Sequence, residues 1–190
     1  VDHTIGNCPK YIQLREVVQS AEQQGVAATS GWRFSRLDDL RLSRLIENAD
    51  TLFIASQALD EGHAITAGVD VSHRGGRPGF VKMTTDRTLV FPDFIGNSVF
   101  MTLGNLEVDP RAGLLFLDFE RGHVVTLTGH ARIERDPAVV QEFTGALRAI
   151  RFELDVGHFL HSTLPLRWTL EGLSPYSEAT GTWAEAEKAQ

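Results

Sequence analysis

The chain has 190 residues, 42% of them hydrophobic and 23% charged, with 18 lysines and arginines against 25 acidic residues for a formal net charge of -7. That length suits one sizeable folded domain, and the acid excess excludes a protein that grips nucleic acid by general electrostatics. A single cysteine, Cys8, excludes an internal disulfide and a thiolate-built metal site within one chain.

The longest apolar run, Ala112 to Phe119, is broken by Gly113 and Asp118 and falls far short of a bilayer span. No basic and apolar leader pattern opens the sequence. The expected setting is therefore the reducing cytoplasm, with no membrane partner and no nucleic acid.

In chain order, Tyr11 to Gln24 reads as helical, with Gly25 as its stop. Thr29, Ser30 and Gly31 form a short breaker. Leu37 to Ala49 places Leu37, Leu40, Leu42, Leu45 and Ile46 near the helical period, with Ser35 or Asp38 as its cap. From Asp50 the pattern turns to strands. Thr51 to Ser56 is a short apolar run, and Ala64 to Val71 is rich in Val, Ile and Thr. Gly79 to Thr84 and Thr88 to Phe91 flank a turn at Thr85-Asp86-Arg87. Leu114 to Phe119 and His123 to Ile133 flank another at Glu120-Arg121-Gly122.

Asn97 to Val108 reads as a helix ended by Asp109-Pro110. Asp136 to Arg148 opens with Asp-Pro, a sound helix start, and reads as a further helix. Ala149 to Leu160 returns to strand character. Six or so short strands with two or three inserted helices predict a mainly β fold with α insertions (α+β), a closed or nearly closed antiparallel barrel preceded by an N-terminal helical segment. The division expected is residues 1–48 as a helical extension, 49–173 as the barrel, and 174–190 as an exposed tail.

Two segments carry the candidate chemistry. In Val69 to Val81 a strand leads into a loop with three glycines, two arginines, a serine and a histidine. Glycines let backbone amides approach a ligand, and Ser72 and Arg74 can donate to a phosphate. The pattern is neither a P-loop nor a dinucleotide fingerprint, and a Gly-rich surface turn accounts for it equally well. The second segment runs from Phe91 to Asn97 and on to Thr102-Leu103-Gly104-Asn105-Leu106. Asn97 and Asn105 bring amides able to read a heterocycle edge, and Phe94 and Phe100 offer stacking surface. Asn97 is equally a helix N-cap, and Asn105 a helix-end residue.

The order of these segments resembles the pyridoxamine 5'-phosphate oxidase-like superfamily. The likeness rests on Ser72 to Val81, Pro92-Asp93-Phe94, Gly96-Asn97, Thr102 to Leu106, Asp109 to Phe116 and Leu127 to Ala131. Within that superfamily it resembles the branch carrying Ser-His-Arg-Gly-Gly before Pro-Gly-Phe-Val. It covers about Ala49 to Trp168.

The resemblance implies an FMN-binding split barrel, a homodimer with flavin at the subunit interface, and a flavin-dependent oxidoreductase acting with a small-molecule substrate or electron donor. The site residues it implies are Ser72, His73, Arg74, Gly79, Phe80, Val81, Lys82, Pro92, Asp93, Phe94, Asn97, Thr102 and Asn105. Gly79 to Lys82 would follow the isoalloxazine and ribityl chain, and Asp93, Phe94 and Asn97 would lie near the phosphate. Family members place an Arg-Lys pair where this chain has Met101-Thr102, so Arg74 and Lys82 become the candidate phosphate cations. The same departure moves the reaction away from pyridoxamine phosphate itself. The deazaflavin F420 and haem are the alternative cofactors, and a flavin- or haem-binding protein without turnover is the alternative function. Gly6 to Gln13 is similar to a segment that closes a preceding barrel domain in larger relatives.

The remaining candidates read as structural. His158 and His161 form a pair near Asp155, but without a third ligand no metal is expected. Cys8 has only Lys10 as a local cation and reads as a structural thiol. His73 is the one histidine worth testing for function, and Arg167-Trp168 is the C-terminal position that relatives bring to the flavin edge. No side chain is nominated as a catalytic acid or base, since the flavin would carry the redox step.

Overall fold

The computed structural model describes residues 8–20, 30–58, 68–96, 98, 100–141 and 143–188. After a single 3-10 turn at Pro9–Tyr11, the elements are β1 (Leu14–Ser20), β2 (Gly31–Phe34), α1 (Leu40–Glu47), β3 (Thr51–Ala58), β4 (Gly68–Gly75), β5 (Lys82–Met83) and β6 (Thr88–Phe94). There follow α2 (Met101–Val108), β7 (Arg111–Leu117), β8 (Val124–Glu134), α3 (Pro137–Gln141), β9 (Ala146–Leu160), β10 (Leu166–Gly172), α4 (Pro175–Glu178) and α5 (Trp183–Lys188).

Alternation of apolar and polar residues builds the main sheet. β3 buries Leu52 and Ile54, β7 Leu114 and Phe116, and β9 Ile150, Phe152 and Leu154. These inner faces meet in one core, which also takes Leu42 and Ile46 of α1. The strand order is β4-β3-β7-β8-β9-β6-β5, antiparallel throughout. The 15-residue β9 organises the sheet. It pairs with β8 along most of its length, with β6 over Ala146–Glu153 and with β2 over Gly157–Leu160. The mainly β, antiparallel class expected from the sequence is thus observed. Among the described residues no backbone ladder joins β4 to β5. An ion pair from Arg74 on β4 to Asp93 on β6 spans the gap instead.

Both expected hairpin turns form, joining β5 to β6 and β7 to β8. The helix over Leu37 to Ala49 is present as α1, but its cap is Asp39 rather than Ser35 or Asp38. Asp39 accepts from Arg41 N at 2.8 Å and Leu42 N at 3.4 Å. Among the described residues the helix expected over Asn97 to Val108 is α2, and that expected over Asp136 to Arg148 is α3; Asn97 and residues 99 and 142 lie outside them. By Ala146 the chain has entered β9, where Arg148 pairs with Asp93 across the sheet. A long ladder fixes the backbone more firmly than a helix start can.

Two larger departures lie at the ends. Tyr11 to Gln24 is not an α-helix where described: Tyr11 closes the 3-10 turn, and Leu14–Ser20 is β1, paired with β10 some 150 residues away, Glu16 opposite Thr169. Residues 21–24 lie outside the described residues. Gly31, expected as a breaker, opens β2. The C-terminal segment is not an exposed tail, because Ser174, Ser177, Thr180 and Trp183 are buried. Trp183 Nε1 donates to the Phe80 carbonyl at 2.9 Å, and its ring packs edge-on against Phe143.

Gln13 ties these ends to the barrel. Its buried amide donates to Ser177 Oγ at 3.0 Å and to Gly76 O at 3.1 Å, while its Oε1 accepts from Ser174 N at 2.8 Å. Among the described residues, no helix is long and apolar enough to cross a membrane.

Candidate functional site

Register decides which β4 side chains turn inward. Asp70, Ser72 and Arg74 stand opposite Ser56, Ile54 and Leu52, the buried face of β3. The two-residue period therefore sends them to the core side and Val69, Val71 and His73 to the other. Helix α2 packs across this region. Ser72 Oγ donates to the Asp70 carboxylate at 2.8 Å, the buried Thr102 hydroxyl donates to the same carboxylate, and Thr102 Oγ1 lies 2.7 Å from Ser72 Oγ. One turn on, Asn105 Nδ2 donates to Ser56 Oγ at 3.1 Å. The first turn of α2 has no side-chain cap at Phe100, which leaves its leading amides with no partner in that role.

Beside this hydroxyl cluster lies a charged one. Asp93, with its side chain 5% exposed, takes Arg74 Nη1 at 2.5 Å on one carboxylate oxygen and faces Arg148 Nε at 3.1 Å on the other. The second contact lacks hydrogen-bond alignment. The Nε atoms of both arginines are buried without a hydrogen-bond partner. Two guanidiniums share one carboxylate, so one positive charge is left unmatched beside Asp93 on side chains that are 20% and 30% exposed. Arg148 also lies over the Phe100 ring, 5.1 Å from its centroid. Arg148 escaped the sequence reading because its segment scans as helix; an arginine opposite an aspartate across a ladder is visible only in the register.

The other expected site residues divide. Ser72, His73 and Arg74 lie on β4 rather than in a loop, since the strand runs through Gly75. A Cβ on Gly75 would stand 2.1 Å from the Tyr11 carbonyl, so the close backbone approach at that glycine is made by the chain itself. Gly79 turns the chain at φ +91°. Phe80 and Val81 are buried in the core, leaving only their backbone toward any ligand. Lys82 pairs with Val90, its ammonium 5.3 Å from the Trp183 ring centroid. Pro92 is buried on β6, and Phe94 stacks on Tyr11 at 5.2 Å. Asn97 lies outside the described residues.

On the far face of β4, His73 meets the Phe53 ring edge-on at 5.6 Å. Burial depresses its pKa, Asp50 opposes the shift, and Arg15 and Arg74 add to it. Arg167 is held at the β7–β8 end by Leu164 and Leu166 carbonyls, and Trp168 packs edge-on against Phe119. His158 is exposed on β9 while His161 packs against Trp32. No group of three metal-ligating side chains is assembled among the described residues.

An antiparallel sheet curled around one core, with a short helix laid across its β4 edge, defines the class as a split-barrel protein. The family model for pyridoxamine 5'-phosphate oxidase matches residues 41–162, more than half of the chain, and the chain belongs to that family. Among solved structures, a Clostridium acetobutylicum protein related to general stress protein 26 of B. subtilis (pyridoxinephosphate oxidase family) is similar at 12% identity. That match covers 70% of this chain and 93% of the other with a TM-score of 0.50, and it shows the fold alone. A HupZ variant from Group A Streptococcus (15% identity, 62% and 96% covered, TM-score 0.46) and the FAD binding protein from Mycobacterium smegmatis (17%, 67% and 99%, TM-score 0.40) are more distant in shape. No curated protein sequence matches the chain.

Proposed function

We propose that this chain binds a flavin nucleotide, FMN, and acts as a flavin-dependent oxidoreductase on a small molecule. The observation that carries the reading is the polar face of β4 set against the uncapped first turn of α2, in a chain of this family. The leading amides of α2 suit an anionic group, whereas the Ser72 and Thr102 hydroxyls donate to the Asp70 carboxylate and would have to turn from it to reach one. Arg74, whose Nε is a buried donor with no acceptor, is the cation at hand where the family's Arg-Lys pair is missing. The residues present thus fit a phosphate, and Asn105 adds an amide one helical turn away.

The flavin would supply the redox chemistry, and the protein its binding, orientation and shielding from water. Val69 and Val71 on β4, and Met101 and Val108 on α2, are exposed apolar side chains around the same edge. A second copy of the chain covering them fits a homodimer with the cofactor at its interface.

The test is the visible spectrum of the purified protein, before and after incubation with FMN. Flavin bands are expected, with FMN released on denaturation, and Arg74→Ala and Thr102→Val should each lower flavin retention roughly tenfold, the scale of one charge-assisted contact. A protein that neither carries nor takes up FMN would overturn the reading, as would a Soret band or unchanged retention in both variants.

A further inference from the structure

The geometry points to a second small-molecule site, on the face of α2 turned away from Thr102 and Asn105, that takes a small organic acid with an apolar body. Phe100, Leu103, Gly104 and Glu107 share that face at the helical spacing. Opposite them is the corner formed by the end of β8, α3 and the start of β9, and the two enclose a cleft of about 520 Å³. That size falls within the range of roughly 300–1,000 Å³ found for small-molecule pockets.

The walls are apolar. Phe100 and Leu147 are half exposed, an unfavourable setting unless something covers them. Ile133, Pro137 and Val140 add to the apolar lining, and Gln141 is a polar member of it. Gly104 opens the floor: a Cβ built there meets nothing within 4 Å. No neighbouring chain atom therefore demands glycine at this place. Glycine is a poor residue for a helix interior, and its effect here is to leave the cleft open.

Charge selects the ligand's head group. Two ion pairs balance the rim, Arg135 with Glu107 and Arg151 with Glu134. Arg148 at the inner end is different. It shares Asp93 with Arg74, its Nε is buried facing that carboxylate out of hydrogen-bond alignment, and among the described residues its side chain donates no hydrogen bond. A carboxylate arriving through the cleft would complete the second half of a two-arginine, two-carboxylate arrangement, with its apolar body against Phe100, Leu103 and Leu147. A neutral apolar ligand would fill the same volume and leave the excess charge unmatched.

The site stands independently of the flavin reading, and calorimetric titration of the purified protein tests it. The probes are 3-phenylpropanoate and octanoate, each compared with its primary amide. At least one acid should bind roughly tenfold or more tightly than its amide, and Arg148→Gln should erase that preference. Gly104→Leu should fill the cleft and abolish binding, with a melting temperature no lower than that of the parent because leucine is the better helix former. Equal binding of acid and amide, no binding of either acid, or an acid affinity unchanged by Gly104→Leu would overturn the assignment. Flavin content, read from absorbance in the same samples, reports on the other site: a colourless protein that still prefers the acid would refute the flavin reading alone.

Discussion

Asp93 is the residue on which the interior charge of the barrel turns. It is buried on β6, yet it holds two arginines. Without it two part-exposed guanidiniums would face each other. His73 shows the opposite solution, a half-buried titratable group whose charged form burial disfavours. Its unfolded pKa is near 6.5, and burial lowers the folded value. The unfolded chain therefore takes up the proton first as pH falls. The stability contributed by neutral His73 is complete above about pH 6.5 and is lost progressively as pH drops from there toward the folded value. His123, also depressed by burial, acts in the same window. Urea unfolding followed between pH 7.5 and 5 should show a smaller loss of stability in His73→Gln than in the parent. Parallel losses in the two proteins would mean that His73 is not held neutral.

Elements near the chain ends owe their form to what they touch. Leu14–Ser20 has a composition that serves a helix as well as a strand, and β10 decides between them. The segment after Ser174 is rich in Glu, Ala and Lys, as exposed tails are, but Trp183 anchors it against Phe80 and Phe143. Replacing this buried indole with alanine should cost roughly 3–5 kcal/mol, measured by chemical denaturation. Trp183→Phe should recover much of the packing but not the hydrogen bond to Phe80. A Trp183→Ala variant as stable as the parent would mean that the C-terminal segment does not dock in solution.

At the scale of the whole molecule, β4 is an edge strand with outward valines, and a bare apolar edge invites pairing with another chain. If the proposed homodimer covers it, Val71→Asp should shift the sedimenting species from dimer to monomer and lower FMN retention with it. A parent protein that already sediments as a monomer would count against the dimer. Much of this architecture was legible beforehand. Local alternation marked β3, β6, β7 and β8, turn residues marked both hairpins, and the segment from Ser72 to Leu106 carried the family likeness, because each is a pattern among near neighbours in the chain. Register and long-range pairing were not legible. Which β4 side chains face inward, how Arg148 comes to share Asp93 with Arg74, and how Gln13 gathers both chain ends depend on contacts that run from Ser56 with Asp70, 14 positions apart, to Gln13 with Ser177, 164 apart. The sequence alone determined an antiparallel barrel, since periodicity and turn chemistry act locally, and its motifs from Ser72 to Leu106 carried the family likeness. Only the tertiary structure decided where its charges and its open cleft lie, because no local pattern encodes which strands become neighbours.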